Sequence, residues 1–374
     1  HYLIPEELGI AANFDVLQSI LVLLAGQAIV NALPYFYYKL TKEKVALWVS
    51  SMIGIVLTCS LFFTIAIIIS TDIIEKYLKI GLALQLLTIV SVIAQLLSDL
   101  NKIIFRLEDK PYQFAILQVI QTVFYTLLMV YMVVGLRMQA LGRIYSAVIS
   151  VSVLCVIHVI IMIKKGFITF RYDWQTIKDL LKFGIPLLPH SLSFWVKSGM
   201  DKILLTTYCG LVVNGLYSMA MSFGGIYSMC QIAFSRAYVP YLQKRLSKIN
   251  SENEQCEKKN IVRMTYKLGL LFIILYFILV FICWLAMKYM LDPKYIPSFQ
   301  FIPYILLART IHAFYSLTVE YIYTAKKTFG LGIITFSGSV IQFLLTFILV
   351  NLFSENGIKI SIVLGELIIM LGVW

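Results

Sequence analysis

Four charged residues, Lys197, Asp201, Arg309 and Glu320, stand inside long runs of apolar residues. A charged side chain at the centre of a bilayer costs roughly 2.5–3.5 kcal/mol on insertion scales, so each needs a partner or a wet cavity. Their spacing groups them. His190, Ser193, Lys197 and Asp201 follow at intervals of 3, 4 and 4, and Arg309, His312, Ser316 and Glu320 repeat those intervals, which puts each set on one face of a helix. Lys197 and Asp201 form an i,i+4 pair able to neutralise each other. The Arg309 guanidinium fork suits phosphate oxygens, which makes an anionic ligand the natural chemistry of this position. Glu320 lies three helical turns further on, about 16 Å along the axis on the same face. Two roles are open to these stripes: ion pairs that hold a helix bundle together, or the lining of a path for a charged ligand.

The elements that must carry the stripes follow from composition. Of 374 residues, 60% are hydrophobic and 13% charged, about half the charged share of a soluble domain. Apolar runs near 12–34, 45–70, 78–98, 112–134, 139–163, 184–208, 211–235, 266–290, 297–325, 328–353 and 358–374 each suffice to cross a membrane. This excludes a soluble enzyme, a secreted disulfide scaffold and a disordered tail. Lys and Arg alternate sharply between the connections, twenty on one side and seven on the other. The positive-inside rule places the richer set, which includes Lys39, Lys42, Lys44, Lys164 and Lys165, in the cytoplasm. The net charge of +12 is thereby explained without nucleic acid. The acidic N-terminal stub then lies outside, so a span is expected before His1, about twelve in all, and the sequence reads as cut at both ends. External connections are short, while those at about 165–182 and 239–262 are long and basic. No removable signal peptide is evident.

The segment from Tyr2 to Tyr35 can be laid on Tyr208 to Tyr241 at a constant offset, matching Gly9 to Gly215 and Pro34 to Pro240. In each copy a Gly opens the span and a Pro-Tyr is expected to close it. Such a repeat divides the chain into an N-terminal lobe at 1–163, a basic linker at 164–182 and a C-terminal lobe at 183–374, of parallel topology. Further polar positions inside spans are Asp15, Gln27 and Asn31, then Gln85, Ser91 and Gln95, then Gln113, Gln118 and Gln121. They suit either a sugar path or interhelical hydrogen bonds. His158 reads as a packed histidine, and Glu366 stands without an evident partner. There is no G-x-x-x-x-G-K-[ST], H-E-x-x-H or G-x-S-x-G motif and no metal-ligand spacing among the cysteines and histidines. No cofactor is expected; a proton or sodium gradient is a candidate driving force.

The stretch FGIPLLPHSLSFWVKSGMDKILL (Phe183 to Leu205), followed by NGLYSMAMSF and AYVPYL, resembles the second-half signature of bacterial O-antigen and capsular polysaccharide flippases. HYLIPEELGI resembles their first external loop and RLEDKPYQFAILQVIQTV their fourth loop and fifth span. These belong to the multidrug/oligosaccharidyl-lipid/polysaccharide flippase superfamily. The resemblance implies an all-α polytopic fold like that of the multidrug transporters, with about twelve transmembrane helices in two six-helix lobes, about eleven of them in this chain. It also implies a non-enzymatic, multi-pass protein of the bacterial inner membrane that flips undecaprenyl-pyrophosphate-linked oligosaccharide units for O-antigen, lipopolysaccharide, capsule or exopolysaccharide by alternating access. A polysaccharide polymerase and a chain-length regulator are implied as partners, beside the membrane lipid. The family's Asp in the seventh span falls on Asp201. On this reading Lys197, Arg309, His190 and Ser193 bind substrate, and Asp201, Glu320, His312 and Asp15 line the cavity or couple an ion. The alternatives are a multidrug or cation antiporter of the same superfamily, which would prefer an acidic cavity, and a polysaccharide polymerase or ligase, which would need a sizeable external loop.

Overall fold

The computed structural model describes residues 3–169, 171, 173–246, 254–324 and 328–374; the side chains of His190 and Glu320, among others, lie outside the described residues. Regular structure among these residues is helical throughout. The helices are α1 (Pro5–Tyr37, interrupted), α2 (Lys42–Leu78), α3 (Leu82–Leu107), α4 (Tyr112–Gly135), α5 (Gln139–Lys164), α6 (Trp174–Gly184), α7 (Leu188–Cys209), α8 (Leu211–Leu246), α9 (Glu254–Tyr289), α10 (Ile302–Thr324), α11 (Thr328–Phe353) and α12 (Glu355–Val373). Eight of the described helices are long and apolar enough to cross a membrane. Burial runs opposite to that of a water-soluble protein. Asn13, Gln85, Ser98, Asn101, Ser146, His158 and Asn214 are wholly buried, while Leu61, Phe62, Ile65 and Ile69 face outward. Only a hydrocarbon surround makes this favourable, because it removes the penalty on exposed apolar surface and forces polar groups to pair inside. The chain is a multi-pass membrane protein.

Several local expectations change. Lys79 adopts the left-handed conformation that ends α2, and Gly81 caps α3, so the third span runs over Leu82–Leu107 rather than 78–98. It continues past Asp99 because Lys102 pairs with that carboxylate at 3.2 Å and Asn101 bonds His158 at 2.7 Å. The Pro-Tyr pairs do not close their spans. α1 is interrupted earlier, by a π segment at Leu23–Gln27 in which Gly26 has φ 138° and by a turn at Asn31 and Ala32. Pro34 then opens the last short helical piece, where its missing N–H costs nothing. α8 runs on past position 240 to Leu246. The basic stretch 164–182 holds a helix, α6. Asp173 caps it, accepting from the Thr176 N–H and hydroxyl, and Leu180 is buried as α6 packs on α2.

The chain forms two compact units, residues 2–195 and 196–374, which divide inside α7. In the first, α1, α3 and α5 pack around Ala11, Phe14, Ile144 and Val148. Asn13 donates to the Leu78 carbonyl at 2.7 Å, satisfying the end of α2. In the second unit, α12 packs against α10 and α11, and α10 also against α8 and α9. Gly338 on α11 and Gly365 on α12 leave room for Ile369 and Gln342 of the opposite helix, where a Cβ would collide. Close helix approach of this kind is the main source of association energy inside a bilayer, where lipid is as apolar as the side chains.

Candidate functional site

Two tiers of polar side chains lie within the C-terminal unit. In one, the Lys197 ammonium of α7 meets Glu366 Oε1 of α12 at 2.7 Å, and His312 Nδ1 of α10 meets Glu366 Oε2 at 3.3 Å. Each of the three residues lies about 14–17 Å from the start of its helix. One turn further along α7, Asp201 is buried and accepts a hydrogen bond from the Tyr217 hydroxyl of α8 at 3.1 Å. Tyr217 is itself buried, its ring edge-on to Phe301 with centroids 5.8 Å apart. Lys197, Arg309 and Lys202 lie within electrostatic reach of Asp201. Arg309, one turn of α10 from His312, is half-buried and makes no hydrogen bond or ion pair among the described residues.

Each charge has a logic. Glu366 is buried and would be costly alone; Lys197 neutralises it, and His312 uses the second oxygen. Asp201 gains a hydroxyl donor and the field of nearby cations in place of a salt bridge. Lys197 and His312 keep part of their side chains accessible. Lys197, Arg309 and His312 thus keep partial exposure, while Asp201 and Glu366 are buried.

The N-terminal unit has a different polar surface. Gln18 of α1, Ser91, Gln95, Asp99 and Lys102 of α3, Gln118, Gln121, Thr122 and Tyr125 of α4 and Ser150 of α5 line one cleft of about 330 Å³. Gln18 donates to Gln95 at 2.9 Å, and Gln121 Oε1 is buried without a hydrogen-bond partner. A cleft in a bilayer lined by four amides and several hydroxyls matches a polyhydroxylated ligand, since each sugar hydroxyl both donates and accepts.

Set against the sequence reading, the structure brings Lys197, Asp201, Arg309 and His312 together. The expected Lys197–Asp201 pair gives way to separate partners on other helices, Glu366 and Tyr217. Glu366, expected to stand alone, is the centre of the network. Ser193 turns its hydroxyl back to the Pro189 carbonyl at 2.8 Å, as helical serines do when no better acceptor is near. Asp15 is in the N-terminal unit, half-exposed, with Arg143 at 3.2 Å. The side chains of His190 and Glu320 lie outside the described residues, so the Arg309–Glu320 relation does as well. His158 is packed as expected, hydrogen-bonded to Asn101. Tyr217 was missed because a tyrosine in an apolar span carries no signal of its own. Among the described residues no cluster of three His, Cys, Asp or Glu side chains could hold a metal ion.

Comparison with known proteins fits this architecture. Over 98% of its length the chain superposes on a multidrug resistance MATE family transporter of the MOP superfamily in an inward-facing conformation, with TM-score 0.78, 15% identity and 89% of that chain covered. It also superposes on the lipid II flippase MurJ in an inward closed conformation, with TM-score 0.75, 13% identity, and 99% of this chain and 81% of that one covered. Among curated proteins it is similar to the Lsg locus putative protein 1 of Haemophilus influenzae, 24% identical over 162 residues, which is 42% of this chain and only 38% of that relative. Residues 2–260 match the family described as polysaccharide biosynthesis protein. Because that match takes in well over half of the sequence, the chain belongs to the polysaccharide biosynthesis protein family.

Proposed function

We propose that this protein is a flippase that carries undecaprenyl-pyrophosphate-linked oligosaccharide units, destined for O-antigen, capsule or exopolysaccharide, from the cytoplasmic to the outer leaflet of a bacterial inner membrane. The observation that carries the reading is Arg309. It is a half-buried guanidinium with no ion pair among the described residues, beside a network in which Glu366 already answers Lys197. Arg309 acts on the buried Asp201 through its field but gives it no hydrogen bond, so its fork stays available to an anion, and a diphosphate offers oxygens that it can hold in pairs. The prenyl tail would stay in lipid. Alternation between inward- and outward-open forms moves the head group without hydrolysing a bond, and the released unit is the substrate class of a polymerase. Coupling to a proton or sodium gradient would act through Asp201 or Glu366, whose partners are exchangeable hydroxyl, ammonium and imidazole groups.

The test is made in cells lacking the gene. The reading expects complete lipid-linked repeat units to accumulate by mass spectrometry while surface polysaccharide disappears, and re-expression to reverse both. Unchanged lipid-linked pools together with new sensitivity to cationic dyes would replace this reading with a drug exporter.

A further inference from the structure

A second amphiphilic site lies on the C-terminal unit, away from the charge network, at the cytoplasmic end of α9. That helix has 36 residues, about 54 Å at 1.5 Å per residue, against a hydrocarbon core of about 30 Å. Its first turns therefore stand in the headgroup layer on the side that the Lys and Arg distribution assigns to the cytoplasm. Lys259, Arg263 and Lys267 are spaced four apart and exposed on one face there. Alongside runs a groove of about 410 Å³, lined by α9, α10 and Trp374. The two surfaces are continuous, sharing Val262, Tyr266 and Leu270.

The cations run along the outer face from the cytoplasmic end as far as Lys267. Beside them, Thr265 and Tyr321, their hydroxyls 2.8 Å apart and both bonded to that of Tyr238, stand in the groove wall. Deeper in, Gly269, Leu270, Ile273 and Phe314 make an apolar channel. Gly269 lets the Phe314 ring pack directly on α9, since a Cβ there would lie 2.7 Å from it. Tyr266 and Trp374 add aromatic rings to the lining. Cations beside an apolar groove match the phosphate and acyl chain of a phospholipid.

We infer that this face of α9 is a binding site for an anionic phospholipid of the cytoplasmic leaflet, with its phosphate on the Lys259–Arg263–Lys267 stripe and one acyl chain in the α9–α10 groove. Scattered positive-inside residues need no groove, and an ordinary lipid-facing groove needs no cations; their continuity sets this face apart. The inference does not depend on what the protein transports. Its consequence is regulatory: the lipid would bridge α9 to α10, the helix that carries Arg309 and His312.

The experiment uses the full chain in phosphatidylcholine nanodiscs, with a phosphatidylglycerol analogue bearing a diazirine on its acyl chain. Labelling of Val262, Leu270 and Ile273 is expected to saturate, to be displaced by unlabelled phosphatidylglycerol and not by phosphatidylcholine, and to lose its preference at high salt. In the Lys259→Gln/Arg263→Gln/Lys267→Gln variant, apparent affinity should fall about a hundredfold, given about 1 kcal/mol for each basic residue near an anionic surface. The salt titration on unaltered protein keeps the test open if the variant fails to fold. Equal labelling by choline and glycerol analogues, or salt-independent labelling, would overturn the proposal. Displacement by a polyprenyl diphosphate alone would overturn it too, assigning the groove to an isoprenoid lipid.

Discussion

At the scale of single residues, the network around Glu366 decides what each charge can do. Its two oxygens are taken by Lys197 and His312, so Glu366→Gln leaves a largely buried ammonium without its anion, and Lys197→Met leaves a buried carboxylate. Breaking a buried pair from one side costs about 3–5 kcal/mol. Each single variant should therefore lower the melting temperature of the detergent-solubilised protein sharply. The double variant should recover a coupling of about 0.5–3 kcal/mol; strictly additive losses would show that the 2.7 Å contact contributes nothing. Tyr217→Phe removes the hydroxyl that Asp201 accepts from, an expected loss of about 1.5–3 kcal/mol for a hydrogen bond to a charged group, readable in the same melt. Lys197 and Asp201 were legible in the sequence as an i,i+4 pair of charges in an apolar run, open to a structural or a functional reading. Their real partners were not, since Glu366 and Tyr217 come from other helices and no periodicity connects them to α7.

At the scale of elements, the helices follow hydrophobic runs closely, and departures occur where a local polar contact outweighs composition. α3 was expected to stop near Ser98; it continues because Asp99, Asn101 and Lys102 all find partners within helical reach or on α5. α6 was hidden in a basic stretch whose apolar face is only a few residues wide. The cytoplasmic end of α3 is tied to α5 by Glu108, which accepts from Lys165 at 2.7 Å and Lys110 at 3.0 Å. Partial burial opposes ionisation of this carboxyl, and the two ammonium groups outweigh it, holding its pKa below the usual carboxylate range. A depressed carboxylate adds stability that is complete above its unfolded pKa, ordinarily about 4.3. That stability drains away as pH falls from there through the folded value. Glu108→Gln should thus flatten the acid limb of a melting-temperature profile below about pH 5 while changing the neutral plateau modestly; an unchanged acid limb would show that the clamp is not formed. α11 and α12 depend on missing side chains. Gly365→Leu should pry them apart and displace Glu366 beside it, lowering thermal stability; unaltered melting would mean that the close approach is absent.

At the scale of the whole molecule, buried amides and outward isoleucines describe a protein whose solvent is lipid, and the distribution of Lys and Arg gives it an orientation. A single cysteine at Lys79 should react with an impermeant maleimide added to intact spheroplasts, and one at Lys110 only after permeabilisation; the reverse pattern would invert every assignment of inside and outside. The central claim is that Arg309 receives the phosphate of a lipid-linked sugar during its passage. The most direct test is to reconstitute the protein and its Arg309→Gln variant in vesicles carrying an undecaprenyl-diphosphate oligosaccharide, and to follow the sugar's appearance on the opposite leaflet by lectin accessibility. The account predicts transfer by the unaltered protein and a rate lower by about ten- to hundredfold in the variant, the loss of one charge-assisted interaction of about 1.5–3 kcal/mol, with melting temperature retained. Equal transfer rates for the two proteins would contradict it.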